Sequence, residues 1–287
     1  MQNKFIPLTL EQHQQILYEI LYMVDDFCNA HNIDYFLVGG TLLGAVRHQG
    51  IIPWDDDVDI AMTRENYDRF IELFNASGVD GYELLDFRHK DGYLFPFAKM
   101  TKCDTWTSCW ETHRIYIDIF SYEGCDDDFE RAKTYFSNMH YQARRFVSSV
   151  VCGFPLTNKR RSWKGKIYYL LTRFLPDLIL FYPIWIFRQS PKSYLEHMHQ
   201  DFTRYRVSEK KYSANIIWGW YGKGEVQLST YFLHLEKMRF GTRDLPVPSG
   251  WHNYLTGLYG NYMTPLPENK RKPHLKDIPY LIVLTEE

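Results

Sequence analysis

No apolar run in this 287-residue chain is long enough to cross a bilayer, which takes roughly 20 consecutive apolar residues. The unbroken apolar stretch 178–187 is ten residues, holds Pro183 and is bounded by Asp177 and Arg188. Cysteine is sparse and odd in number, five, with no C-x-x-C pair. That argues against a disulfide framework or a zinc knuckle and for reduced thiols in a cytoplasm. Net charge is only -2, so no overall basic field recruits nucleic acid, and none is expected as a partner. There is no internal repeat, low-complexity segment or Gly/Ser-rich linker. Residues 1–10 hold one Lys and no long apolar run, which argues against a signal peptide. What remains is globular: 45% hydrophobic and 24% charged, with ample material for a core. Aromatics are abundant, 22 Tyr, 19 Phe and 8 Trp. They suit a large core, or a pocket or membrane-facing patch, and composition does not choose.

Local patterns set out the elements. Thr9 and Gln12 fit a capping box, and Ile16, Leu17, Ile20, Leu21, Val24, Phe27 and Cys28 then recur at helical spacing. A short strand is expected over 35–38, broken by Gly39-Gly40-Thr41, with a short helix over 42–48. Further strands are expected over 58–62, 82–87, 95–100, 115–120, 212–218 and 235–240. Helices are expected over 65–74, 127–150, 193–204 and 248–259, the last stopped by Gly260. Residues 152–190 differ in character. Lys159, Arg160, Arg161, Lys164 and Lys166 lead into the apolar stretch. A buried helix pair and an interfacial segment both fit.

The run Asp55-Asp56-Asp57-Val58-Asp59-Ile60 crowds four carboxylates and returns at once to apolar sequence. Such crowding is unfavourable unless a cation or a proton relieves it. Val58, Ile60 and Met62 alternate with Asp57 and Asp59 at strand period, so these two carboxylates share a face. They form a hard oxygen site suited to Mg2+ or Mn2+. A calcium hand fails on spacing: position 6 is Ile60 rather than Gly, and position 12 is Asn66 rather than Glu. Asp118 sits between Ile117 and Ile119 in the clearest alternating strand. A carboxylate there is costly unless paired, and a neighbouring Asp57–Asp59 strand would bring three together. Gly39, Gly40 and Thr41 at a strand-to-helix junction offer close backbone approach and free N–H groups to a phosphate. Asp56 points to the other face and is expected to matter least.

This order of a Gly-Gly-Ser/Thr turn, an Asp-apolar-Asp strand and a third acidic strand is similar to the nucleotidyltransferase fold. Residues 36–48, followed by 52–59, closely resemble the signature of the LicD family. That family includes bacterial phosphocholine transferases and is related to the fukutin-type phosphoribitol transferases. Ile117-Asp118-Ile119-Phe120 resembles its second motif, and Val247-Pro248, Tyr254-Leu255 and Leu258-Tyr259-Gly260-Asn261-Tyr262 its C-terminal one. No resemblance covers 152–190. The resemblance implies an α+β chain, a nucleotidyltransferase-like mixed β-sheet core flanked by helices with a helical apolar insertion. The expected division is a catalytic core over 1–150, a basic and apolar insertion over 151–205, and a part completing the catalytic domain over 206–287.

The resemblance also implies transfer of a phospho-alcohol from a CDP carrier to a glycan hydroxyl, releasing CMP, with CDP-choline the favoured donor. Asp57, Asp59 and Asp118 would be catalytic and hold the metal, with Asp55 a further ligand or a support. Gly39, Gly40 and Thr41 would cradle the phosphate. Arg47 and Lys99 are candidate counter-charges to phosphate, a role favoured for Arg47 because it lies inside the motif, with a surface or structural ion pair the alternative for each, and Trp54 is a wedge or a substrate contact. Choline calls for an aromatic cage, for which Trp106, Trp110, Trp218, Trp220 and Tyr221 are available. The acceptor is expected to be a sugar of a lipid-linked envelope glycan: lipopolysaccharide, teichoic acid or capsule. The protein is then cytoplasmic, with peripheral contact on the inner membrane face through 159–188. Phosphoribitol or phosphoglycerol transfer, a nucleotidyltransferase acting on a small molecule, and a non-catalytic partner are the competing readings.

Overall fold

The computed structural model describes residues 2–107, 112–150, 191–217, 219, 221–273 and 279–285. The basic and apolar stretch 159–188, and Trp110, Trp218 and Trp220, lie outside the described residues. The fold is α+β, built on a seven-stranded mixed sheet. Its main path is β2 (Phe36–Leu37), β3 (Asp59–Thr63), β7 (Tyr116–Asp126), β5 (Ala98–Lys102) and β4 (Tyr82–Leu85), in that spatial order. The short strands β8 (Tyr212–Ala214) and β9 (Gln227–Leu228) extend it from the far end of β7. β3 and β7 run parallel, and the other neighbours along this path are antiparallel. Two smaller sheets accompany it. One joins β1 (Gln2–Pro7), β12 (Tyr280–Thr285) and β6 (Thr105–Trp106), and the other is the hairpin of β10 (Leu235–Phe240) and β11 (Arg243–Pro248).

The first helix, α1 (Leu10–His31), starts at the capping box: the Gln12 N–H donates to Thr9 Oγ1 at 3.2 Å, and the Thr9 N–H donates to Gln12 Oε1 at 2.9 Å. Its apolar face, the residues expected from spacing, is buried and packs over β5 and β7. Phe27 meets Phe70 and Phe74 of α3 (Arg64–Ser77), so one aromatic cluster ties both helices to the sheet. α4 (Phe129–Val150) packs on β7 and β8 and meets α5 (Pro191–Phe202). α2 (Gly39–His48), the single turn α6 (Thr230–Leu233) and α7 (Trp251–Tyr259) complete the α-helices among the described residues. No helix among the described residues is long and apolar enough to cross a membrane.

Three differences from the local reading have physical causes. β7 runs to Asp126 rather than ending at 120, because its polar positions are satisfied inside the fold. Arg64 donates from Nε to Glu123 at 2.8 Å and also bonds Ser121. The strand expected over 212–218 stops at Ala214, where a turn closes with the Gly219 N–H donating to the Asn215 carbonyl at 3.1 Å. β11 has no counterpart among the expected strands, since it carries Pro246 and Pro248. In a two-stranded ribbon both strands are edges, where proline is tolerated. Gly241, at φ +63°, turns this hairpin.

Candidate active site

Strand register builds the acidic centre. Asp59 opens β3 directly opposite Asp118 of β7, and Lys99 of β5 lies opposite Asp118 on its other side. Asp118, the carboxylate that an apolar strand could not hold alone, is thus half-buried between an acid and a base. Lys99 is 2% exposed and its Nζ donates to Asp118 Oδ1 at 2.5 Å. Its ammonium also lies 3.8 Å from the ring centroid of Tyr116. Lys99 therefore serves Asp118 first, a tie that sequence spacing did not suggest.

Asp57 lies just before β3, in the loop that delivers the chain to Asp59. Asp55, Asp56 and Asp57 each offer a carboxylate oxygen, all within 4.8 Å of one another. Asp56, expected to matter least, is 5% exposed and belongs to this cluster. Its carbonyl accepts from buried His13 Nε2 at 2.8 Å, and burial lowers the His13 pKa. The loop is further held by Gln14, whose Nε2 donates to the carbonyls of Ile52 at 3.2 Å and Asp55 at 2.7 Å. Burial, then the charges of Asp57, Asp118 and Asp55, hold the acid form of Asp59 well above the usual carboxylate range, with Lys99 opposing. So many carboxylates in so small a space fit a hard divalent cation, which would relieve the repulsion that protonation otherwise must.

The glycines face this centre. Gly39 and Gly40 form the start of α2 itself rather than a turn ahead of it. A Cβ on Gly39 would stand 3.4 Å from Asp59 Oδ2, and one on Gly40 would stand 3.3 Å from Asp55 Oδ2. Gly39 has φ +53°, a left-handed conformation that a side chain would strain. The helix start, with its positive dipole end, thus sits bare against the carboxylates. Thr41 is buried and its Oγ1 accepts from the Asp59 N–H at 2.8 Å, which locks α2 to β3.

Arg47 occupies the last turn of α2, seven residues on from Gly40 and so about 10 Å along the axis. Trp54 is half-buried, with His48 edge-on at 5.9 Å and the Arg271 guanidinium 4.9 Å over its ring. Trp106 stands apart from these, on the three-stranded sheet, edge-on to Phe5 at 6.1 Å.

The C-terminal part, with Tyr122 of β7, supplies residues to which sequence reasoning gave no role, Tyr221 as a cage candidate apart. The Tyr122 hydroxyl donates to that of Tyr254 at 2.9 Å, and the Gly39 main chain hydrogen-bonds Tyr254. Glu225 is buried beside both hydroxyls. Burial pushes its acid form up to about 8, opposed by hydrogen bonds from the Tyr221 main chain and from Tyr254 and Tyr122. The Tyr259 hydroxyl comes to 4.0 Å of the Gly39 Cβ position, and its ring meets Tyr221 edge-on at 4.6 Å and 72°. Tyr254 and Tyr259 lie in the segment that resembles the family's C-terminal motif, the one available signal.

Residues 32–161 match the family model described as "LicD/FKTN/FKRP, nucleotidyltransferase domain". The resemblance to the LicD family is thus borne out over these residues. It is 29% identical over 272 residues, 93% of its length, to the lipopolysaccharide cholinephosphotransferase LicD of Haemophilus influenzae, covering 96% of that protein. It is 31% identical over 94 residues to the human ribitol 5-phosphate transferase FKRP, a stretch that covers 32% of this chain and 17% of FKRP. The match to the LicD-family model contains β2, α2, β3 and the whole of β7, so every carboxylate of the acidic centre falls inside it. The chain is a transferase.

Proposed function

We propose that this protein transfers phosphocholine from CDP-choline to a sugar hydroxyl of a lipid-linked cell-envelope glycan, releasing CMP. The observation that carries the reading is the set of carboxylates facing the bare start of α2: Asp59 against Gly39, Asp55 against Gly40, and Asp118 in register with Asp59. Asp55, Asp57, Asp59 and Asp118 would hold Mg2+ (or Mn2+), which when bound neutralises charge on the diphosphate. Phosphoryl transfer needs positioning and charge neutralisation more than covalent help. Gly39 and Gly40 leave room for the diphosphate, and the α2 dipole favours its negative charge. Asp118, with one oxygen held by Lys99, takes the proton of the incoming hydroxyl on the other. A new oxygen–phosphorus bond forms at the choline-bearing phosphate, the bond bridging the two phosphates breaks, and CMP departs with that electron pair.

The Tyr221 and Tyr259 rings favour choline among the alcohols. They form a corner beside Asp59, and Tyr221 is 46% exposed. Ring faces and nearby carboxylates attract a quaternary ammonium that cannot donate hydrogen bonds. The likeness to FKRP keeps ribitol phosphate as a second donor to test. The stretch 159–188 would contact the inner membrane face, where a lipid-linked acceptor is presented.

Purified protein with Mg2+, membrane extract and each of CDP-choline, CDP-ribitol and CDP-glycerol tests this through CMP release. CDP-choline is expected to be consumed fastest, and Asp57→Asn and Asp118→Asn to abolish release while the protein stays folded. Undiminished release in both variants refutes the site.

A further inference from the structure

Two neighbouring cavities lead away from the acidic centre. The nearer, about 210 Å³, is lined by Asp57, Thr107, Arg114 and Tyr116 among others. The farther, about 510 Å³, is lined by Glu83, Tyr93, Thr105, Trp106 and Arg114 among others. Arg114 belongs to both walls. Its Nη1 donates to Glu83 and to Cys103 Sγ, the latter at 3.5 Å, which holds the guanidinium at the boundary. Tyr116 ties the nearer cavity to the reacting groups. It lies two residues before Asp118 on β7 and so on the same face. The Lys99 ammonium, 2.5 Å from Asp118, stands 3.8 Å from the Tyr116 ring centroid.

Strand order sets which flank of the acidic centre these cavities occupy. β2, β3 and β7 lie side by side in that order. α2 follows β2, with the Gly39 Cβ position 3.4 Å from Asp59 Oδ2, whereas Tyr116 and Asp118 belong to β7. A diphosphate at the start of α2 is therefore on one flank of Asp59, and the nearer cavity is on the other. In phosphoryl transfer the attacking and leaving oxygens lie roughly in line, on opposite sides of the phosphorus. CMP leaving on the α2 side puts the incoming hydroxyl on the β7 side, where Asp118 takes its proton. The walls suit a sugar: threonine hydroxyls, carboxylates and a guanidinium meet its hydroxyl groups, and aromatic rings meet its C–H faces. The nearer cavity is small beside ligand sites of about 300–1,000 Å³, and the pair together falls within that range.

We propose that the two cavities form one acceptor groove that holds two successive sugars of the glycan. The ring presenting the reacting hydroxyl sits in the nearer, between Thr107 and Tyr116, and its neighbour sits in the farther, stacked on Trp106. The inference rests on the transferase reading above and deepens it by naming the residues that select the acceptor. Trp106 is half-buried, and Phe5 braces its ring edge-on at 6.1 Å. Trp106 does not line the nearer cavity, so a single sugar there leaves it untouched. This residue therefore selects for acceptor length.

Calorimetric titration of the full chain, with Mg2+ and without any CDP-alcohol, tests it with two probes. One is the water-soluble glycan that mild acid releases from the membrane extract, and the other is the monosaccharides of its complete hydrolysis. The wild type is expected to bind the glycan about fivefold or more tighter than the monosaccharides, the worth of one ring contact. Trp106→Ala is expected to lose that advantage, and Trp106→Phe, which keeps a ring, to retain part of it. Thr107→Val, in the nearer cavity, is expected to weaken both probes. Equal glycan affinity in wild type and Trp106→Ala overturns the proposal, as does a wild type that binds neither probe. With CDP-choline added, Trp106→Ala is expected to raise the glycan concentration that half-saturates CMP release and to leave the rate at saturation unchanged. Weaker binding of CDP-choline itself by Trp106→Ala assigns the cavities to the donor's nucleoside and overturns the acceptor assignment. The titration uses no donor, so a protein that binds the glycan through Trp106 yet releases no CMP from any CDP-alcohol refutes the transferase reading and leaves the groove standing.

Discussion

Replacing Glu225 by glutamine removes the buried acid beside Tyr122 and Tyr254 while keeping its shape. In the folded protein this carboxyl titrates at about 8, against an ordinary value of 4.5. The unfolded chain therefore releases the proton first as pH rises, and the folded state binds more protons across that window. Stability contributed by this group falls from about pH 4.5 to about pH 8 and is flat beyond both ends. Each pH step of one within the window removes about 1.4 kcal/mol, so the loss between about pH 5 and pH 7 is about 3 kcal/mol. Glutamine does not titrate, and its amide can bond the same hydroxyls. Urea unfolding of wild type and Glu225→Gln at a series of pH values measures the difference directly. The variant should lose about 3 kcal/mol less than wild type over that interval, and should be the more stable protein at pH 8. Parallel pH curves for the two proteins would refute the reasoning, because every other titrating group is common to both.

Arg64→Ala strips the partner from buried Glu123 and Ser121 and is expected to cost about 3–5 kcal/mol, read as a lowered urea midpoint. Gly44→Ala puts a Cβ of α2 onto the main-chain oxygen of Gly50 and should destabilise by about 1–3 kcal/mol in the same assay. Gly39→Ala forces a side chain into φ +53° and is expected to cost about 1–2 kcal/mol, and to lower CMP release by disturbing the start of α2.

The amphipathic α1, its cap and its buried stripe are legible in the chain, because both depend on neighbours three and four residues apart. So are the crowding of Asp55, Asp56, Asp57 and Asp59, and the cost of an isolated Asp118. The ranking within the acidic run is not legible. Strand alternation sets Asp56 apart, yet β3 begins only at Asp59, and the preceding loop folds Asp56 back among Asp55 and Asp57. β1 and β12 pair Gln2 with Thr285, ends of the chain that no local period relates.

Sequence by itself determined which residue types carry the chemistry: carboxylates at short spacing, glycines at a strand-to-helix junction, and a third acid within an apolar strand. Those are covalent facts, fixed by neighbours along the chain. Only the tertiary structure decided what each group faces. Parallel pairing of β3 and β7 set Asp59 opposite Asp118, antiparallel pairing of β5 turned Lys99 from a candidate phosphate contact into the partner of Asp118, and packing of the C-terminal part brought Tyr254 to Gly39 and Arg271 to Trp54. Electrostatics and hydrogen bonding act across a few ångströms of space, and those distances exist only once strands distant in sequence lie side by side.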